Sequence, residues 1–149
     1  MIYALDTNTL IFLLNNDEKV MDKRDTAVLA GHRFIIPPIV NYEIQRGLLY
    51  KPSPKKEKIY FSLRRHYGVG FIDSDMWVKA AHIYAQLRKN GFTVSDDDIF
   101  IAAFCLLNGF WFSWQKMARQ ARQQCVFITI KPYSLACFVT TSSRLLKLP

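Results

Sequence analysis

No aspartate or glutamate follows Asp98 in this 149-residue chain. The charges beyond that point are all cations, Lys116, Arg119, Arg122, Lys131, Arg144 and Lys147, and they supply most of the net charge of +8. Such an imbalance points to a polyanionic partner, nucleic acid before a membrane surface. Cysteine is scarce. Cys105, Cys125 and Cys137 are odd in number and show no C-x-x-C spacing, which excludes a disulfide framework or a zinc site and fits reduced thiols in a cytoplasmic protein. His32, His66 and His82 are too scattered to form a metal motif. The N-terminus lacks a basic segment followed by a long apolar one, and Asp6 breaks the opening apolar stretch, so no signal peptide is expected. Long apolar runs are missing too. The uncharged stretch 99–115 contains Asn108, Gly109, Ser113 and Gln115, and reads as a buried helix followed by a strand, with no membrane span expected. Nor is there a helix-turn-helix signature that would support a DNA-binding regulator.

What is present is ordinary globular material, 50% hydrophobic and 21% charged, enough for one domain with a sizeable core. Ile2-Tyr3-Ala4-Leu5 reads as a buried strand running into Asp6, and Asp6-Thr7-Asn8-Thr9 offers capping residues for a helix over Leu10 to Leu14. Val20 to Ala30 is predicted as a second helix stopped by Gly31, and Arg33 to Ile36 as a second strand ended by Pro37-Pro38. A helix through Ile39 to Leu48 follows. Lys51-Pro52-Ser53-Pro54 breaks the chain before a basic helix from Lys55 to Arg65. With Tyr60 and Tyr67, that helix is either a path for nucleic acid or a plain solvated face. Val69 to Ile72 is predicted as a third strand. Ser74 then opens a long helix with Trp77, Ala80, Ala81, Tyr84 and Leu87 on its apolar face, closed by Asn90-Gly91. Alternating strands and helices of this kind define an α/β fold with a mostly parallel sheet.

The segment that organises the reading is Ser95-Asp96-Asp97-Asp98 ahead of Ile99 to Phe104. Three adjacent carboxylates repel one another, and a helix N-terminus or a cation offsets that cost. Asp6 stands at the end of a strand and Glu43 early in a helix, both where open α/β sheets place their sites. Gathered there with Asp98, they form a set of oxygen donors suited to one or two divalent cations. Such ions activate water and neutralise the charge that builds on a phosphodiester during cleavage. Arg46 either pairs with one of these acids or meets a phosphate.

Three stretches together, the apolar strand into Asp6-Thr7-Asn8, the run Tyr42-Glu43-Ile44-Gln45-Arg46-Gly47-Leu48, and Asp98-Ile99-Phe100-Ile101-Ala102-Ala103, carry a family likeness. The chain resembles the PIN-domain ribonucleases, and within them the VapC-type toxins of toxin–antitoxin pairs. The resemblance covers residues 1 to about 110 and implies a PIN-like three-layer α/β/α fold with a mostly parallel central sheet. It implies an endoribonuclease using Mg2+ or Mn2+, with Asp6, Glu43 and Asp98 as the metal-binding and catalytic acids. Asp98 is chosen over Asp96 because the family's acid stands three residues before Ile-Ala-Ala. Thr7, Asn8 and Asp96 would support these ligands, and Arg46, Lys55 and Lys56 would hold RNA. A homodimer and a VapB-like antitoxin are the implied protein partners.

After Phe110 the family's short strand and Thr-Asn/Asp segment are missing. We read residues 1–110 as the PIN-like core and 111–149 as an atypical basic and aromatic tail left by a reading frame that shifted near codon 110. A genuine extension is the other reading of the tail, and a decayed protein that only binds antitoxin or RNA is the other reading of the whole.

Overall fold

The computed structural model describes residues 1–114, 127–130, 137–141 and 144–148, with side chains through Trp111. It divides into two compact units, Met1–Ile72 and Asp73–Pro149.

In the first unit, strand β1 (Ile2–Ala4) lies parallel to β2 (Arg33–Ile35), with Tyr3 opposite Phe34. Leu5 N–H continues the ladder onto the Ile35 carbonyl at 3.0 Å. Helix α1 (Thr7–Leu14) starts at once because Asp6 caps it, and it buries Leu10, Leu13 and Leu14. Asn15 closes it, and Asn16 takes a left-handed turn at φ 55°, a conformation asparagine tolerates better than most side chains. Helix α2 (Glu18–Leu29) begins two residues earlier than predicted, since Asp17 accepts from Val20 N–H at 3.1 Å and so serves as its cap. None of its residues is buried.

Helix α3 (Pro38–Tyr50) opens on a proline, whose fixed φ suits the first helical position and whose missing N–H is no loss there. It buries Val40 and Ile44. Helix α4 (Pro54–Tyr67) ends at Gly68, which takes φ 77°. The two helices are tied by a polar contact inside the unit. Tyr60 of α4, with no exposed surface, donates to Asn41 Oδ1 at 2.8 Å, and Gln45 Nε2 donates to the same oxygen at 2.9 Å. Tyr60 is thus closed to nucleic acid, contrary to one expectation for the basic helix. Tyr67 is half-buried, its ring edge against Phe34 at 5.6 Å.

Burial raises the Tyr60 hydroxyl to about 12 from an ordinary 10, with nearby Arg64 opposing the rise. The native state therefore keeps a proton that the unfolded chain loses above pH 10, and this contribution to stability declines as pH climbs from 10 to 12. Tyr60→Phe is expected to cost about 1 kcal/mol at pH 8 through the lost hydrogen bond. The gap should shrink by pH 11, because phenylalanine has no proton to lose. Urea midpoints at both pH values test this; an equal gap at both would refute it. Tyr67 is shifted upward for the same reason, but it is common to both proteins and cancels.

The predicted third strand reduces to one parallel bridge, Ile36 with Val69. Ile36 N–H donates to Gly68 O at 3.2 Å and Gly70 N–H donates to Ile36 O at 2.9 Å. Glycines on both sides of Val69 weaken a strand, and Phe71 is 84% exposed, so nothing apolar anchors a longer one.

In the second unit, α5 (Ser74–Lys89) is capped by Asp73, one residue before the predicted cap, through Met76 N–H at 3.0 Å. Its buried stripe is Met76, Ala80, Ile83 and Leu87, so the apolar face is turned from the one predicted. Trp77, Ala81 and Tyr84 remain exposed. Both stripes have helical spacing, and the aliphatic one is interred, leaving the amphipathic rings at its edge. Helix α6 (Asp96–Asn108) buries Ile99 and every residue from Ile101 to Cys105, and Gly109 ends it in the left-handed region at φ 65°. Trp77 and Phe100 meet edge to face at 4.9 Å, joining α5 to α6.

Strands β3 (Phe112–Trp114), β4 (Phe127–Ile130), β5 (Cys137–Thr141) and β6 (Arg144–Leu148) form an antiparallel sheet in that order. The sequence of the tail predicts strands over 110–114 and 125–130 and a helix over 115–124; the strands correspond to β3 and β4 with tighter bounds, and the helix lies outside the described residues. Parallel pairing therefore holds in the first unit, while the second is antiparallel. Among the described residues, no helix is long and apolar enough to cross a membrane.

Candidate active site

Asp6 follows the carboxyl end of β1 in extended backbone, and its Oδ1 accepts from Thr9 N–H at 2.7 Å. The cap holds the carboxylate at the strand end. Thr7, the next residue, donates its hydroxyl to Glu43 Oε2, which ties α1 to the second turn of α3. The first unit thus brings Asp6-Thr7 and Glu43 to one place, although they lie far apart in sequence. Asp6 and Glu43 are both half-buried and Asn8 is exposed. Arg46, one turn beyond Glu43, lays its guanidinium over the Tyr42 ring, 5.2 Å from the centroid. Lys55 and Lys56 stand in the first turn of α4, the former exposed and the latter half-buried.

The third acidic segment belongs to the second unit. Ser95 is the cap of α6, and Asp96, Asp97 and Asp98 fill its first turn, where the helix dipole offsets their mutual repulsion. Ser95 Oγ donates to Asp98 Oδ2 at 2.5 Å and accepts from Asp98 N–H at 3.4 Å. Asp96 and Asp97 are exposed while Asp98 is half-buried. Serine holds the one acid that the family likeness selects. The sequence carried this signal as Ser-x-x-Asp, a spacing that lets residue and cap satisfy each other. Ser95→Ala is expected to cost about 1 kcal/mol, while Ser95→Thr should retain most of it. Thermal melting of both variants decides the matter, and an unchanged alanine variant would count against the cap.

The donors offered are carboxylate oxygens, the hard ligands that magnesium and manganese take. In the first unit they number two, Asp6 and Glu43, a partial set on their own. Among the described residues, no group of three or more His, Cys, Asp or Glu side chains is placed to hold a metal ion. The donor chemistry fits such an ion.

The PIN domain family pattern matches residues 3–112. The chain belongs to that family. Within it the likeness runs to the VapC type: ribonuclease VapC1 of Haemophilus influenzae strain R2866 is 26% identical over 110 residues, spanning 71% of this chain and 80% of that protein. The VapBC-1 structure from nontypeable Haemophilus influenzae matches with a TM-score of 0.57 at 27% identity, over 72% of this chain and 82% of its own. VapBC2 from Rickettsia felis, solved bound to a DNA fragment from the promoter, shares the fold with a TM-score of 0.70 at 16% identity, over 78% of this chain and 89% of its own.

Proposed function

We propose that this chain is the ribonuclease toxin of a toxin–antitoxin pair, a metal-dependent endonuclease that hydrolyses RNA phosphodiester bonds. The observation that supports it most directly is the Thr7–Glu43 hydrogen bond, which joins two of the three acidic segments in one unit. Asp6, Glu43 and Asp98 would hold magnesium or manganese; when bound, the ion supplies positive charge against the phosphodiester and makes water more acidic. The remaining work falls to the chain. Thr7 orients Glu43, the α1 cap fixes Asp6, and Ser95 fixes Asp98, while Asn8 and Asp96 stand beside the ligands. Arg46, Lys55 and Lys56 draw the RNA backbone toward the acids, helped by the net charge of +8. A VapB-like antitoxin, a homodimer and a cytoplasmic setting complete the reading. The likeness to VapBC2 and VapBC-1 supports the antitoxin.

The test is cleavage of total RNA by the purified full chain in manganese or magnesium, beside an EDTA control. Cleavage that EDTA abolishes supports the proposal. A folded protein without cleavage would favour a decayed PIN protein that only binds antitoxin or RNA, a reading supported by the end of the family match at residue 112. On the same reasoning, residues 111–149 replace a lost family ending. Translating the other two frames of the gene past codon 110 should recover a strand and a Thr-Asn/Asp segment, and failure in both frames would retire the frameshift.

A further inference from the structure

Glu43 has an aromatic neighbour that its role as a metal ligand does not require. Tyr42, one residue earlier on α3, is 54% exposed although its ring is a large apolar surface, and the helix's buried side chains are Val40 and Ile44. Arg46 lies four residues on, at the spacing that places side chains one above the other, with its guanidinium 5.2 Å from the Tyr42 ring centroid. Ring and cation are both open to solvent. Packing does not account for the pair.

The combination matches the two halves of a nucleotide in an unpaired strand. An open aromatic face stacks a base of any identity, and an arginine beside it binds phosphate. Charge favours this occupant over an apolar protein surface. Arg46 is joined in the same unit by exposed Lys55, Lys58 and Arg65 of α4, and Phe61 there, 57% exposed, carries Arg64 at 6.0 Å in a second pairing of the same kind. Tyr60, by contrast, is closed off and cannot stack on anything outside. Of the two tyrosines expected beside the basic helix, Tyr60 is thus unavailable to RNA.

We infer that Tyr42, held by Arg46, is a base-stacking subsite for the single-stranded nucleotide next to the bond being cut. The inference rests on the proposed ribonuclease reading for the bond, but the stacking itself does not need catalysis. It assigns Tyr42 a positioning role toward RNA, separate from the acids.

The test uses the full chain, a single-stranded RNA oligonucleotide carrying 2-aminopurine, and a buffer without divalent ions so that binding is read alone. Stacking quenches the probe. Wild type should bind and quench it. Tyr42→Ala should bind about tenfold more weakly and lose the quench, the range that losing one stacked base produces. Tyr42→Phe should keep both, and Arg46→Ala should weaken binding with a shallower salt dependence. Equal binding and quenching by Tyr42→Ala overturns the inference, as does failure of wild type to bind, or a change confined to self-association in sedimentation. Adding manganese separates the two proposals. Cleavage indifferent to Tyr42 removes the subsite and leaves the nuclease, whereas Tyr42-dependent quenching without cleavage removes the nuclease and leaves the subsite.

Discussion

Asp98→Asn is expected to lower manganese-supported RNA cleavage by roughly a thousandfold, while Asp97→Asn stays within a few-fold of wild type. The two residues are adjacent in the first turn of α6, and both favour its dipole, so each substitution forfeits a similar stabilisation of about 0.3–1 kcal/mol, partly offset by relief of repulsion among three acids. Stability therefore cannot separate them. Position does: Asp98 is half-buried and held by Ser95, whereas Asp97 is exposed. Under the proposed function only Asp98 is a metal ligand. Single-turnover cleavage with each variant, beside circular dichroism to confirm folding, decides the case. Equal losses in both variants, or full activity in Asp98→Asn, would sink the assignment.

Phe104→Ala should cost about 3–5 kcal/mol, the largest stability loss expected of a single substitution here. Phe104 is 2% exposed in the middle of α6, and its ring lies 5.5 Å from that of Phe110 beyond the helix end. Removing it leaves a cavity where the helix has buried neighbours on either side, Ala103 and Cys105. A domain of this size is stable by about 5–15 kcal/mol in all, so the loss is large enough to leave much of the protein unfolded in mild urea. Leu107→Ala on the same helix removes a side chain that is 45% exposed and should cost well under 1 kcal/mol. Urea denaturation of both variants is the measurement; a Phe104→Ala midpoint close to that of Leu107→Ala would show that the helix is less committed to its packing than its burial implies.

Much of the first unit was legible because its punctuation is chemical. Asp6, Pro37-Pro38, the Pro52 and Pro54 pair, and Gly31 each stop or start an element for a local reason, and the helices begin and end within a few residues of those marks. The acids were legible as types at strand ends and helix starts, but their supporting contacts were not. Thr7 reaching Glu43 and Tyr60 reaching Asn41 are tertiary hydrogen bonds between residues 36 and 19 positions apart, and no local pattern announces them. The buried face of α5 differs from the predicted one because Trp77 and Tyr84 are largely apolar rings that nonetheless sit comfortably at a wet boundary. Val69 to Ile72 looked like a strand by composition, yet flanking glycines left it a single bridge. Strands β5 and β6 are not legible in the sequence, since a tail without acids offers no alternation of opposite charges against which to mark a solvent face.

The sulfur of Cys105 gives this protein an internal clock. That residue has no accessible surface and lies in the same helix as Asp98, two turns on. A thiol reagent in solution can reach it only while α6 is released from its packing, so the rate at which the Cys105 peptide gains mass reports how often the element carrying Asp98 lets go. Under the proposed function, adding divalent ions should slow that rate, because an ion held at the acidic end of the helix would lower the opening frequency at its middle.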